Sequence, residues 1–199
     1  MFNHIKRRIM KVNDLCKEYP YLTRSQIQFL VNNSKYKTER GLRNHISKEN
    51  EDVRSKCEAP FVYRLEIEVT WRKSNTWGLC PRAEARWKDE KGWQYEKNAG
   101  YASGCGYDKH SACVAEVCNK VLSRNIYLKR SKISEKNIRD GKVPYGIRKS
   151  KEYILPTFEG GVGMNCYFAI ARFLGGELYH VADSKTYDKW VFEFKKPKK

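Results

Sequence analysis

The chain has 199 residues, 40% hydrophobic and 13% aromatic, enough apolar material for a packed core and too much for wholesale disorder. Its 40 lysines and arginines against 23 acids leave a formal net charge of +17, an excess whose usual physical use is attraction to polyanions, nucleic acid first. No stretch of about 18 apolar residues occurs, so no membrane span is expected.

The seven cysteines are odd in number, and the N-terminus MFNHIKRRIMK lacks the apolar run that secretion needs. Reduced thiols in a cytosol are the expectation.

Residues 1–58 read as helical. Ile5, Ile9, Val12, Leu15 and Cys16 recur on one helical face until Pro20 ends the segment. Thr23-Arg24-Ser25-Gln26 fits a capping box, followed by Ile27, Leu30 and Val31 on the buried side and Asn32-Asn33 at the close. A third helix is expected over residues 38–45, with Leu42 and Ile46 inward and Arg40, Arg43, Asn44 and His45 outward. Three short helices ending in a basic, polar one suit a helix-turn-helix, in which arginine and asparagine read guanine and adenine edges. The run LTRSQIQFLV with Gly41-Leu42 resembles excisionase-like DNA-binding domains. It departs from them in continuing HISKENED where a glycine-bearing hairpin wing would follow. The alternative for this region is a small helical adaptor.

A charged connector over residues 47–56 precedes a strand at 61–72. There Phe61, Tyr63, Leu65, Ile67, Val69 and Trp71 alternate with Arg64, Glu66, Glu68 and Arg72, a period of two with one buried face. The opposite face is mixed in sign and no pure phosphate binder. After a loop holding Trp77 and Gly78, a second strand is expected at 82–88, then the turn Asp89-Glu90-Lys91-Gly92 and a third strand at 93–97. Gly104 and Gly106 break the pattern, and Asp108 stands where a helix N-cap belongs. Val114, Val117, Cys118, Val121 and Leu122 then form one apolar stripe, which the small residues Ala83 and Ala85 would let approach the sheet.

Residues 124–151 read as a basic connector in which Lys129, Arg130, Lys132, Arg148 and Lys149 would hold backbone phosphates. Tyr127 and Tyr145 within it would stack on unpaired bases. A second strand-and-helix unit follows at 152–199. It has Tyr153-Ile154-Leu155, the lead-in Gly160-Gly161-Val162-Gly163, and a helix burying Cys166, Phe168, Ile170 and Phe173. Gly175-Gly176 would end that helix. Strands at 177–183 and 187–194 flank the turn Ser184-Lys185-Thr186, and a lysine-rich tail closes the chain.

Cys105, His110, Cys113 and Cys118 form the densest set of potential zinc ligands, but no C-x-x-C spacing exists, and buried cysteine explains Cys113, Cys118 and Cys166. The glycine-rich lead-ins lack the Lys-Ser/Thr of a P-loop. Cys105 and His110 have no third orienting group, and the acids Asp108, Glu159 and Asp183 are scattered. No enzyme, metal or cofactor is expected.

Three blocks, WRKSNTWGLCPRAEARW, ASGCGYDK and FEGGVG, together resemble a family of small uncharacterised proteins of phages and mobile elements in Firmicutes and gut bacteria. The resemblance covers about residues 61–194. It implies a mobile-element accessory protein that acts on transcription or blocks host defence, including CRISPR–Cas.

The expectation is therefore an α+β protein with an N-terminal helix-turn-helix-like region and antiparallel strands covered by two helices. Its domains would be 1–58, 59–123, 124–151 and 152–199. The function expected is non-enzymatic nucleic-acid binding, by a monomer or homodimer. The rival is an anti-CRISPR-like inhibitor binding a host nuclease effector. Of the candidate anchors Trp71, Trp77, Trp87 and Trp93, the loop residue Trp77 suits that role best, with Trp71 and Trp87 assigned to the core.

Overall fold

The computed structural model describes residues 12–36, 38–76, 78–102, 107–149, 156–183 and 187–195. Ile5, Ile9, Trp77, Cys105, residues 153–155, the turn at 184–186 and the tail past Lys195 lie outside them. The chain is α+β and divides into two compact units, Met1–Lys56 and Cys57–Lys199.

The first unit begins with α1 (Val12–Glu18) and α2 (Arg24–Asn32). The capping box forms as the sequence predicts: Gln26 N–H donates to Thr23 Oγ1, and Thr23 N–H donates back to Gln26 Oε1. The next helix, α3, spans Glu39–Glu58 rather than stopping at His45. Its polar second half resembled a connector because only Val53 continues the buried stripe of Leu42 and Ile46. The pairs Lys56–Asp52 and Arg54–Glu51, four and three residues apart, support that half from outside. Leu15, Ile27 and Ile46 are fully buried, and Asn50 Oδ1 accepts from Tyr21 N–H.

The second unit is built on β1 (Arg64–Ser74), β2 (Gly78–Asp89), β3 (Gly92–Tyr101), β6 (Gly176–Asp183) and β7 (Tyr187–Phe194). The strand groups that the sequence suggests as separate units share one antiparallel sheet, in the order β3-β2-β1-β7-β6. The join is β1 against β7, with Ile67 opposite Trp190 and Leu65 opposite Phe192. Alternation along each strand revealed the buried face but not the partner. Helix α4 (Tyr107–Val121) covers β1, β2 and β3, and α7 (Met164–Phe173) covers β6 and β7.

The α4 stripe is buried as expected: Val114, Val117, Cys118, Val121 and Leu122 all face the core. Each fully buried valine or leucine contributes about 1.5–3 kcal/mol. The approach is close because Ala83, Ala85 and Gly100 line the sheet under the helix. A Cβ on Gly100 would stand 2.4 Å from the Cys113 carbonyl oxygen. The helix starts at Tyr107, so Asp108 lies within its first turn instead of at the N-cap. In α7 Ile170 is buried as expected, but its companions are Tyr167 and Ala171, while Cys166, Phe168 and Phe173 are half-buried. The Tyr167 hydroxyl supplies the reason, since it donates to the Ser111 carbonyl of α4 at 3.0 Å. Gly175, at φ +88, ends the helix.

Residues 124–149 are not a loop. They form α5 (Ser123–Leu128), a single 3-10 turn at Arg130–Lys132, α6 (Glu135–Arg139) and β4 (Ile147–Lys149), which pairs with β5 (Pro156–Phe158). Few apolar residues are present, but Ile126, Ile133, Val143 and Ile147 all reach the core. Buried Asn125 completes the anchorage: its amide accepts from Val62 N–H at 3.1 Å and donates to Val62 C=O at 2.9 Å. Asn119 holds Phe158 in the same way, at 2.6 and 3.0 Å.

Candidate nucleic-acid interface

On α3 the inward turn of Leu42 and Ile46 carries Arg40, Asn44 and Lys48 outward at intervals of four residues, and all three are exposed. Arg43 is held differently. Its guanidinium pairs with Glu18 and, at 3.2 Å, with Glu39, and these carboxylates raise its affinity for the proton further. His45 is half-buried, its ring 5.3 Å from that of Tyr36. Of the four residues expected to read a groove, Arg40 and Asn44 project and the other two are engaged within the unit.

In the basic segment, Arg130 and Lys132 are exposed, while Lys129 and Lys149 are half-buried. Arg130 lies 5.1 Å over the Tyr127 ring. Tyr127 itself is buried beside Ile126, and burial first, then the Cys57 thiol, push its phenol up to about 12. It is therefore no platform for bases, contrary to the sequence expectation. Tyr145 is exposed, with the Arg148 guanidinium 4.5 Å from its ring centre and fixed at 2.7 Å by Glu159.

The outward face of the five-stranded sheet is mixed in sign, as the alternation predicts. At its centre Glu66 is nearly buried among Arg64 at 2.7 Å, Lys189 at 3.6 Å and Arg86 at 3.8 Å. Burial pushes the Glu66 carboxyl up, but the Arg64 hydrogen bond and the three cations together hold it below the ordinary carboxylate range. Lys189 also pairs with Glu68, and Arg72 with Glu84. The centre thus neutralises itself. Toward β3 the character changes to arginine and aromatic: Arg86 lies 4.2 Å over Trp93, and Arg82 lies 5.1 Å over Tyr101.

On the inner side, Asp188 of β7 joins two imidazoles. One carboxylate oxygen is 3.0 Å from His110 Nε2 on α4, and the other bonds His180 Nε2 on β6. Trp71 stacks on His110 at 5.9 Å, and Trp190 packs against both imidazoles. Each nitrogen meets its own oxygen, which makes a clasp between helix and sheet. Among the described residues no group of three or more His, Cys, Asp or Glu is arranged to hold a metal. Cys113 and Cys118 are buried against the sheet, where burial pushes the Cys113 thiol up to about 12 and the Cys118 thiol higher. No described helix is long and apolar enough to cross a membrane.

No family model, curated protein or solved structure matches this chain.

The sequence reading missed Arg82, Arg86, Tyr95 and Tyr101, yet a signal was present. In Trp93-Gln94-Tyr95-Glu96 the aromatic positions share one parity and the opposite parity is polar. Since Ala83 and Ala85 already mark the helix-covered side, the aromatics had to face outward. His110, His180 and Asp188 offered no such signal, because they come from three distant segments.

Proposed function

We propose that this protein is a non-enzymatic nucleic-acid-binding accessory factor of a phage or mobile element. The observation that carries the reading is the exposed row Arg40, Asn44 and Lys48 on the first half of α3, set opposite the buried Leu42 and Ile46. A helix that follows a capped helix, with arginine and asparagine near its N-terminus, has the chemistry for reading base edges in a major groove. The net charge of +17 supports the same partner through long-range attraction. Lys132 and Arg130 add exposed cations for backbone phosphates, which position the protein without reading sequence. The mobile-element origin draws on the resemblance of the three sequence blocks.

The test is a mobility-shift titration of duplex DNA with the parent and with Arg40→Ala/Asn44→Ala. Both side chains are exposed, so the fold should survive and the shift should weaken by at least about tenfold. Unchanged duplex binding in the double variant rules out this face as the reader. A parent that binds no nucleic acid, but captures a host nuclease effector, selects the inhibitor reading instead.

A further inference from the structure

We infer that the outward face of β2 and β3 is a second nucleic-acid site, one that takes unpaired bases by stacking. The inference deepens the reading above but rests on a different surface.

Trp93, Tyr95 and Tyr101 are 46%, 61% and 48% exposed, a run of large aromatics on one strand that the core does not use. They sit opposite cations in the sheet register: Trp93 faces Lys88, Tyr95 faces Arg86, and Tyr101 faces Arg82. Arg86 reaches diagonally to lie over Trp93, and Arg82 lies over Tyr101, so each guanidinium already sits against a ring. The Tyr95 hydroxyl donates to Glu84 at 2.8 Å, which fixes that ring's direction. Along a strand, residues two apart are separated by about 6.8 Å. That is the spacing needed to receive neighbouring bases of an extended, unstacked strand.

Charge selects the occupant. Glu66 is enclosed by three cations, and Glu84 is engaged by Arg72 and Tyr95. The outermost groups on this side are therefore the arginines and Lys88. Rings interleaved with guanidinium groups suit a strand that presents π-faces and phosphates together. An open antiparallel sheet bearing aromatics is a recurrent way to hold single strands. A duplex keeps its base faces stacked internally and cannot use the rings.

The experiment is fluorescence-anisotropy titration of labelled oligo-dT and oligo-U, with a hairpin duplex as control. It compares the full-length parent, Trp93→Ala/Tyr95→Ala and Trp93→Phe/Tyr95→Phe. The alanine variant is expected to weaken single-strand binding by at least about tenfold, with the duplex little affected and the phenylalanine variant near the parent. Circular dichroism establishes that both variants are folded. The inference is overturned by a parent that binds neither homopolymer, or by an alanine variant that binds single strands as tightly as the parent. An equal loss on the duplex also overturns it, because the face would then contact backbone alone. Arg40→Ala/Asn44→Ala separates the two readings, since it should impair duplex binding and leave the single-strand signal in place.

Discussion

Asp188 and His110 join the inner side of the sheet to α4 across 3.0 Å, and the same carboxylate holds His180 of β6 through its other oxygen. Burial pushes the Asp188 carboxyl up, but the polar groups of His110, His180 and Trp190 beside it outweigh burial and hold the group below its usual range. A carboxylate with a lowered folded pKa adds stability that is fully present above its unfolded pKa, about 3.9, and lost as pH falls through the folded value. Asp188→Asn should therefore be destabilised at pH 7, by about 1–3 kcal/mol for the broken buried network. The gap from the parent should close below about pH 4. Urea midpoints across pH 3–7 measure this, and a gap that stays constant would contradict it.

Asn125 is the side chain that gives Val62 a hydrogen-bonding partner for both its backbone groups. Asn125→Leu leaves a buried N–H and C=O without that partner. The expected cost is about 2–6 kcal/mol, at about 1–3 kcal/mol for each unsatisfied group, read as a lowered urea midpoint with unchanged slope.

Gly100 is dictated by space. With the Cys113 carbonyl 2.4 Å from where a Cβ would stand, Gly100→Val should push α4 off the sheet and cost about 1–3 kcal/mol or more. A calorimetric melt reports the drop. A melting temperature equal to the parent's would show that α4 can shift freely.

Cys113 and Cys118 are fully buried and their thiols are pushed well above the ordinary range, so they should not react with a thiol reagent at pH 8 in the native protein. Cys16 and Cys166 are half-buried and should react before them. Mass spectrometry after timed alkylation checks the order. Early labelling of Cys118 would mean that α4 opens readily.

The sequence made legible whatever has a local period. The alternation from Leu65 to Trp71 and the stripe from Val114 to Leu122 define a buried strand face and a buried helix face, and the structure has both. The pairing of β1 with β7 was invisible, because Ile67 and Trp190 become neighbours only through packing. The basic stretch looked like a linker because its few anchors, Ile126, Ile133, Val143 and Ile147, have no regular spacing. At the candidate interface, Arg40 and Asn44 face outward as their helical phase requires. Arg43 shares much of that phase and is nevertheless drawn to Glu18, a residue on another helix. The Arg86–Trp93 contact was hidden for a similar reason, since cross-strand register decides it.

The most direct test of nucleic-acid binding is the salt dependence of affinity for duplex DNA, single-stranded DNA and structured RNA, measured side by side with the full-length protein. The account predicts saturable binding to at least one of them, with log K falling linearly and steeply as log salt rises, because each neutralised phosphate releases about one counterion. Absent binding, or binding indifferent to salt, would contradict it and leave the charge of this chain to a protein partner.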